Sequence, residues 1–389
     1  MEPFAPPGMD SACRSTAVEA DRLEWRAGDG GDLPAAIDGF LAEHGRGPDH
    51  GRPGSACGVG VLLSHRASAV MTGAAAGAEP PSAVPDVVLV AFEHAEPSTG
   101  EPLEADPPAA EARGDYTVGE WTPTWTPGAH AEAVRETCRR IAAGDVYVLN
   151  VVGHWTAPWE GDPAALVRDV ASVPGAAWGG ALRSRGGGAP EWFVASASPE
   201  CFVEVDGSTV RTYPIKGTAP ATEAGRVELT SSVKERAEHA MVVDLLRNDL
   251  AQVSVPGSVT VEELFSLRRW RDLWQAESTV SARLRPGLGF SDLLRGACPP
   301  GSVTGTPKST ALEIIAALEP VGRGPAMGAF GFAASAGRVR LGLSIRTLAG
   351  DASRLHLWAG GGVTWRSDPD AEVAEAGAKA EGVMAALRH

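Results

Sequence analysis

The chain is poor in the residues that mark several large classes of protein. It has only five cysteines, spaced singly and without a CxxC pair, so the sequence contains neither a disulfide framework nor a zinc-ligand spacing. We expect reduced, mostly buried thiols, as in a cytosolic protein. No apolar run approaches the roughly 18 residues of a membrane span, and the first residues lack the pattern of a secretory signal. The cysteines are Cys13, Cys57, Cys138, Cys201 and Cys298.

Positive charge is also scarce. Lysine and arginine total 34 against 49 aspartates and glutamates, which gives a net charge of −15. This balance argues against nucleic acid or an anionic membrane as the main partner. An anionic small molecule remains compatible with it, because a few local cations can dominate a cleft. The length of 389 residues allows one large domain or two to three smaller ones.

Helical and strand-like segments alternate along most of the chain. Helices are predicted at 33–44, 130–143, 162–172, 232–250, 290–295, 310–318 and 371–387. Strands are predicted at 57–63, 87–92, 146–152, 178–182, 192–196, 202–205, 210–213, 259–261, 278–284, 330–334, 339–348 and 355–359. Residues 262–271 are interpreted as helix or loop. Short turns join most strand pairs, which favours a mixed, largely antiparallel α+β fold.

Residues 94–118 are rich in proline, glutamate and alanine and are typical of a long loop or linker. They mark the best candidate boundary in the chain. We therefore predict an N-terminal part at 1–118 and a catalytic region at 119–389. A surface insertion within one domain is the alternative.

The strongest chemical signal lies between Thr212 and Leu250. Lys216 follows a short apolar run and precedes Gly217, which allows the backbone to turn sharply or approach a ligand. On the helix that follows, Glu235 and Glu238 are three residues apart and share one face. A lysine close to paired carboxylates suits an amine nucleophile beside a divalent cation. The alternative is a solvated loop lysine and a solvent-facing helix surface.

Three further stretches are candidates for chemistry. Glu200 follows a rigid Ser-Pro turn and is a candidate acid or base, or else an ordinary turn residue. The glycine-rich loop 300–308 leads into a helix N-terminus and suits an anion, although it is no Walker A loop. Arg346 lies within a predicted hydrophobic strand, so it needs a carboxylate partner from either the protein or a substrate.

A second pair of carboxylates lies near the C-terminal end. Three glycines at 360–362 precede a helix that carries Glu372 and Glu375 three residues apart, with Lys379 four residues further on. Two such acidic helices facing one another can hold one Mg²⁺ through one or two glutamates each.

Five stretches together resemble the chorismate-utilising enzymes, a family that includes anthranilate, aminodeoxychorismate, isochorismate and salicylate synthases. The resemblance spans about residues 120–385 in unbroken order, whereas the first ~115 residues match loosely. It implies an α+β fold of two stacked antiparallel β-sheets with flanking helices. The stretches are PIKGT (214–218), SVKERAEHAMVVDLLRNDL (232–250), PPGSVTGTPKSTALEII (299–315), IRTL (345–348) and GGGVTWRSDPDAEVAEAGAKA (360–380).

The resemblance also implies roles for individual residues. Glu238 and Glu375 correspond to Mg²⁺ ligands, with Glu235 and Glu372 as outer carboxylates, and the metal neutralises the ring carboxylate of chorismate. Glu200 corresponds to the general acid for loss of the 4-hydroxyl group. Substrate-binding roles fall on Gly217, Thr218, Thr304, Arg346, Gly360, Gly362 and Lys379.

Lys216 discriminates within the family. Members that form anthranilate usually carry alanine at this position, whereas a lysine resembles component I of aminodeoxychorismate synthase. The implied reaction adds the lysine amine at C2 of chorismate while water leaves C4. Ammonia, supplied by a separate glutamine amidotransferase subunit, then enters at C4 to give 4-amino-4-deoxychorismate.

Two positions depart from the family pattern. Gln275 stands where the family usually has a histidine, three residues before Ser278, and Ala326 stands where an aromatic residue is usual. The histidine serves lyase chemistry that expels pyruvate, so its absence argues against anthranilate formation. Two alternatives stay open: C2 chemistry that gives 2-amino-2-deoxyisochorismate, anthranilate or isochorismate, and a catalytically silent chorismate-binding subunit.

Overall fold

The computed structural model of the chain describes residues 5–9, 13, 17–46, 52–95, 115–185, 191–270 and 273–388. Within them, two antiparallel sheets and flanking helices form a mixed α/β fold, which confirms the predicted fold class. The strands are β1 (Ala17–Trp25), β2 (Ala56–Leu63), β3 (Val87–His94), β4 (Tyr116–Val118), β5 (Thr122–Pro123), β6 (Val148–Gly161), β7 (Gly180–Arg183), β8 (Trp192–Ser196), β9 (Cys201–Asp206), β10 (Thr209–Tyr213), β11 (Ile215–Pro220), β12 (Thr260–Trp270), β13 (Leu273–Arg283), β14 (Gly305–Thr306), β15 (Ala329–Ser335), β16 (Arg338–Leu343), β17 (Thr347–Asp351) and β18 (Arg354–Val363).

The helices occupy both outer surfaces and the ends of the sheets. They are α1 (Leu33–His44), α2 (His65–Met71), α3 (Pro127–Ala143), α4 (Pro163–Ser172), α5 (Glu223–Ser231), α6 (Val233–Val253), α7 (Phe290–Ala297), α8 (Lys308–Leu318) and α9 (Pro369–Met384). Short 3₁₀ turns cover Gly301–Val303 and Ala385–Leu387. None of the helices in the described residues is long and apolar enough to cross a membrane.

Strand pairing joins distant parts of the chain. The first sheet runs in the order β1-β3-β2-β15-β16-β9-β10-β13-β11, with β12 also paired to β13. The second runs β14-β6-β18-β17-β8-β7, with β4 and β5 also paired to β6. The longest ladder pairs β18 with β6, so that Gly360 lies opposite Val152 and Gly362 lies opposite Asn150.

The main core lies between the two sheets. Val203 of β9 in the first sheet belongs to the same buried cluster as Val194 of β8 and Trp358 of β18 in the second. Fully burying an aliphatic side chain of this size stabilises the fold by about 1.5–3 kcal/mol. Two smaller clusters pack α4 and α9, and then α3 and α8, against the second sheet. Packing of these apolar side chains therefore fixes the two sheets against each other, and their strands carry the candidate site residues.

Helix starts follow ordinary capping chemistry. Asp162 and Asp368 each precede a proline and accept a hydrogen bond from a backbone N–H of the first turn. Ser232 caps α6 in the same way, because its hydroxyl accepts from the Glu235 N–H at 3.2 Å. The predicted start of this helix is confirmed, and with it the side on which its glutamates lie.

The structure corrects three of the predicted segments. Residues predicted as helix or loop after Val261 continue as strand β12, paired along β13. The single strand predicted at 339–348 is two strands in different sheets, β16 and β17, because the chain breaks at Arg346 with a φ of 49°. Helix α5 occupies a stretch with no predicted element. The predicted linker at 94–118 lies mostly outside the described residues.

The N-terminal strands are part of the first sheet. Strand β2 pairs with β15 along five residues, and β1 pairs with β3 at the sheet edge. The N-terminal part thus shares a sheet and a core with the region that follows it. The division at residue 118 stays a prediction.

Candidate active site

A cavity of about 400 Å³ opens between the two sheets and helix α6. All predicted site residues except Thr304 and Glu372 line it. Side chains that the sequence did not single out complete the wall, namely Ser302, Val303, Met327, Ile345, Leu357 and Trp358. The cavity therefore gathers residues from positions 150 to 379 around one space large enough for a small ring compound.

Lys216 enters the cavity from strand β11. The ladder with β13 is irregular between Lys216 and Thr218, and Gly217 has a φ of +75°. A Cβ at Gly217 would lie 3.1 Å from a carboxylate oxygen of Glu235, so glycine allows strand and helix to approach closely. In the described part of the chain, no carboxylate lies within salt-bridge distance of the Lys216 amine.

Glu200 lies at the same cavity, on the turn between β8 and β9. Burial raises the pKa of its carboxyl group to about 7, although the charges of Lys216 and Lys379 and the Ile215 backbone N–H act in the opposite direction. Its proton is therefore held near neutral pH. A carboxyl group with such a pKa is suited to general acid catalysis.

The acidic faces of α6 and α9 meet at the cavity. Glu238 of α6 and Glu375 of α9 both line it. Burial raises the pKa of the nearby Glu372, and the charges of Glu375 and Glu238 add to the effect, while a Ser367 hydrogen bond and Lys379 oppose it. Carboxylates from both helices are thus close enough to repel one another, as the facing-helix hypothesis requires.

The donor set at this point fits a magnesium ion. All the candidate ligand atoms are carboxylate oxygens, which Mg²⁺ prefers. In the described residues, no three of these glutamates bring oxygen atoms within 4.8 Å of one another. Mg²⁺ is usually held by one or two carboxylates together with water and substrate, rather than by a cage built only from protein.

Helix α9 is tied to the glycine strand beside it. The Lys379 amine lies 2.7 Å from a Glu375 oxygen and donates to the Gly360 carbonyl at 3.0 Å. A Cβ at Gly361 would lie 3.0 Å from a Glu372 oxygen. The glycines of β18 therefore let the acidic helix approach the strand and leave the backbone of Gly360 and Gly362 accessible at the cavity.

Arg346 lies where the chain crosses from one sheet to the other. Its predicted place inside a strand is wrong, since it occupies the break between β16 and β17 with positive φ. Burial lowers the pKa of its guanidinium group, and Nη1 donates to the Pro174 carbonyl at 3.4 Å. No protein carboxylate pairs with it in the described residues. The remaining donors are suited to a carboxylate of a bound ligand.

Thr304 is the predicted substrate residue that the structure places away from the cavity surface. It is fully buried, its amide donates to the Gly301 carbonyl at 3.1 Å, and its carbonyl accepts from the Asn150 N–H at 2.8 Å. Its neighbours Ser302 and Val303 face the cavity instead. Residues 301–303 form a 3₁₀ turn, so sequence spacing alone did not reveal which side chains of this loop face the cavity.

Two buried ion pairs, which the sequence interpretation missed, hold the loop at 299–308. Asp249 at the end of α6 binds the Lys308 amine at 2.8 Å and accepts from the Gly301 N–H at 3.1 Å. Arg323 pairs with Glu319 and donates to the Val303 carbonyl at 2.7 Å. Asp249 lies beside the apolar residues Leu245, Leu246 and Leu250, and this position was the only available signal.

A buried histidine supports the strand behind Lys216. His239, one residue after Glu238, lies 2.6 Å from the Ser278 hydroxyl on β13. Burial lowers its pKa to about 4, and the Lys216 charge adds to that shift, so the ring is neutral. Gln275, at the position where the family usually has a histidine, lines the cavity.

Comparison with known proteins identifies a family and several relatives. The family model described as chorismate binding enzyme matches residues 83–385. Anthranilate synthase component 1 of Streptomyces coelicolor is 38% identical over 75% of this chain and 56% of its own length. Aminodeoxychorismate synthase component 1 of Salmonella typhimurium is 36% identical over 66% of this chain and 56% of its own. The chain thus spans little more than half the length of the curated relatives it matches.

Solved structures show the same fold. Anthranilate synthase component I from Streptococcus pneumoniae superposes with a TM-score of 0.78 at 24% identity, covering 95% of this chain and 91% of that one. An isochorismate synthase from Bacillus anthracis superposes with a TM-score of 0.68 at 21% identity, covering 99% and 95%. At these identities the likeness concerns the fold alone. The matched family model extends over most of the sequence, and the chain belongs to the chorismate binding enzyme family.

Proposed function

We propose that this chain aminates chorismate at C4 and releases 4-amino-4-deoxychorismate. The observation that carries the proposal is the presence of Lys216 and Glu200 in one cavity with the acidic faces of α6 and α9. An amine nucleophile and a carboxylic acid that holds its proton near neutrality are the two groups needed for the first step.

In the proposed sequence, the neutral amine of Lys216 forms a bond to C2 of the ring. The double bond shifts and the C4–oxygen bond breaks, while Glu200 donates its proton so that the hydroxyl group leaves as water. Ammonia then bonds to C4, the double bond shifts back, and the C2–nitrogen bond to Lys216 breaks. Lysine leaves as the free amine, and Glu200 recovers a proton from the incoming ammonia.

Chorismate carries two carboxylates, and the cavity offers separate groups for them. Glu238 and Glu375 would hold Mg²⁺, with Glu235 and Glu372 as outer carboxylates, and the bound ion supplies positive charge that neutralises the ring carboxylate. Arg346 and Lys379 supply cationic donors for the remaining carboxylate charge. Gly217, Thr218, Gly360 and Gly362 contribute the walls next to the ring.

The proposal also includes the source of ammonia and the cellular location of the reaction. The named relatives that form aminodeoxychorismate are described as component 1, which supports a separate amidotransferase subunit as partner. Ammonium in solution is the substitute donor in a test with the chain alone. The proposed setting is the cytoplasm, where chorismate and glutamine are available.

A reaction at C2 of chorismate, rather than at C4, is the second candidate function. It is favoured by the anthranilate synthase of Streptomyces coelicolor, whose identity to this chain, 38%, is slightly higher than the 36% of the aminodeoxychorismate synthase of Salmonella typhimurium. Lys216 argues against the reaction at C2, because in the proposed binding mode its side chain would occupy the space next to C2 that ammonia would need. The product distinguishes the two candidates directly.

The test incubates the purified chain with chorismate, Mg²⁺ and ammonium, followed by product identification by mass and ultraviolet spectrum. We expect 4-amino-4-deoxychorismate from the native chain and its loss in Lys216→Ala. Arg139→Ala, which removes an exposed cation on α3, serves as the matched control and keeps the activity. Anthranilate or isochorismate as the main product, or unchanged 4-amination by Lys216→Ala, would overturn the proposal.

A further inference from the structure

Two cysteines and a histidine meet far from the active site, at the N-terminal end of the first sheet. The ligand atoms of Cys13, Cys57 and His94 all lie within 4.8 Å of one another. The topology brings them together: Cys57 begins β2, His94 ends the antiparallel strand β3, and Cys13 precedes β1, whose first residue pairs with His94. Sequence spacing gave no sign of this cluster, because its three members are 37 or more residues apart.

We propose that Cys13, Cys57 and His94 form a binding site for a single Cu(I) ion. A metal bound at ~2.3 Å to sulfur and ~2.0 Å to nitrogen places three ligand atoms about 4 Å apart in a plane. The three ligand atoms lie within 4.8 Å of one another, which is close to that value. Two thiols and an imidazole are soft donors, which select copper(I) or zinc over the hard cations.

The surroundings favour three-coordinate Cu(I) over zinc. Structural zinc takes four ligands, but no fourth His, Cys, Asp or Glu joins the group in the described residues. Both cysteines are fully buried and His94 is 8% exposed, which disfavours a water molecule as fourth ligand. The group therefore matches an ion that is satisfied with three soft ligands.

A cation adjoins the two thiols. The Arg46 guanidinium donates to the Cys13 sulfur at 3.5 Å and to the Cys57 carbonyl at 3.1 Å. Two thiolates, a neutral imidazole and Cu(I) would carry one negative charge, which a neighbouring cation stabilises. Binding would release the two thiol protons to solvent.

Metal binding at this cluster would hold down the N-terminal segment at residues 5–9. The Ala5 carbonyl accepts from the Ala181 N–H of β7 in the second sheet at 2.8 Å. Gly8 lies so close to β16 in the first sheet that a Cβ there would be 2.7 Å from Arg340 Cβ. This segment therefore bridges both sheets, and a bound ion four residues beyond it stabilises the bridge.

The test titrates the reduced, metal-free chain with Cu(I) under anaerobic conditions in competition with bicinchoninate. We expect one equivalent to be withdrawn from the chelator, an absorption-edge spectrum with two sulfur ligands and one nitrogen ligand, and a rise in Tm at one equivalent. Cys13→Ser and Cys57→Ser lose the stoichiometric site. Cys138→Ser, at a half-buried cysteine outside the cluster, keeps it.

Several results would overturn the proposal. One is Cu(I) binding that Cys13→Ser leaves unchanged; this variant lies before the first strand and so tests the site even if Cys57→Ser fails to fold. Another is retention of one Zn²⁺ with four ligands in preference to Cu(I). A third is a Cys13–Cys57 disulfide in the purified chain that leaves no thiol pair for a metal. None of these readouts depends on chorismate turnover.

Discussion

Glu200 experiences opposing influences that set its protonation near neutral pH. Burial favours its uncharged form, while Lys216 and Lys379 favour the carboxylate. The net result is a pKa of about 7, well above the ordinary value for glutamate. At pH 6 most molecules hold the proton that the proposed first step consumes, and at pH 8 most do not.

The first prediction follows from the raised pKa of Glu200. Activity with a saturating ammonium supply should fall as the pH rises through about 7, because the protonated acid is lost. Glu200→Gln should reduce kcat by about 10²–10⁴-fold and remove that limb of the pH profile. Glu191→Gln, at an exposed strand edge, serves as control. A Glu200→Gln variant with native kcat would remove this residue from catalysis.

Local motifs predicted Lys216, Glu200 and the helix glutamates because each lies in a short segment whose structure depends on its own neighbours. The conformation of Arg346 could not be predicted from its sequence neighbours. Its positive φ and its position between two sheets depend on strand pairings with β8 and β9, which no local pattern encodes. Thr304 likewise is buried away from the cavity, where its backbone bonds to β6 and Gly301.

At the scale of elements, the acidic faces of α6 and α9 form one unit although about 130 residues separate them. The second prediction concerns this unit. Glu238→Gln should raise the Mg²⁺ concentration for half-maximal activity by at least about tenfold, since a charged ligand is lost. It should also abolish the rise in Tm that Mg²⁺ gives the native chain.

Glu228→Gln on α5 is the control for that experiment, since its side chain is exposed. Removal of Mg²⁺ by chelation should stop turnover of the native chain and leave its fold intact. An unchanged Mg²⁺ response in Glu238→Gln would contradict the assignment of this carboxylate as a ligand.

The loop at 299–308 depends on the buried pair Asp249–Lys308. Removing Lys308 leaves the buried Asp249 carboxyl group without its cation, whereas the Lys308 amine is partly exposed and also donates to the Ala297 carbonyl. The third prediction is that Lys308→Met destabilises the chain strongly in urea unfolding and Asp249→Asn destabilises it less, while the double variant costs clearly less than their sum. Asp244→Asn breaks an exposed pair with Arg247 on the same helix and should cost under about 1 kcal/mol.

Additive effects of Asp249→Asn and Lys308→Met would contradict the pairing. The pair joins α6, which carries Glu238, to the loop that carries Ser302 and Val303. We therefore expect the surviving variants to show a raised KM for chorismate together with their loss of stability.

Some elements could be predicted and others could not, for physical reasons. Helices with a capping residue and proline at the start, such as α4 and α9, were predicted to begin within two residues of their true starts. The part of strand β12 after Val261 was missed because its alternation is interrupted by irregular pairing with β13 and by exposed Leu264. Helix α5 has few buried residues, so it lacks a clear apolar face.

At the scale of the molecule, the cavity exists because two sheets pack face to face and the chain crosses between them at residues 344–346. The alternation of short strands and helices in the sequence predicted the fold class. It did not predict the order of the strands in each sheet. Pairings such as β2 with β15 join residues more than 260 positions apart. The resemblance to a known family, rather than any periodicity, carried the prediction of the sheets' arrangement.

The net charge of −15 belongs to the whole chain, whereas the cavity contains Lys216, Arg346 and Lys379. The cavity also contains Glu200, Glu235, Glu238 and Glu375, so binding of the proposed substrate depends on where the cations lie rather than on the net charge of the site. The global charge sets solubility rather than specificity. The predicted boundary at residue 118 divides a chain whose N-terminal strands extend the first sheet. It stays a prediction about sequence divergence rather than about separate folding.

Covalent addition of Lys216 to chorismate can be measured directly as the mass of the intact protein after reaction with chorismate and Mg²⁺ in the absence of ammonia. With no second nucleophile, we expect a covalent adduct whose mass equals chorismate less one water. The adduct should be located on Lys216 by peptide mapping, and adding ammonium should release it. An unmodified chain that still forms 4-amino-4-deoxychorismate when ammonium is present would contradict this mechanism.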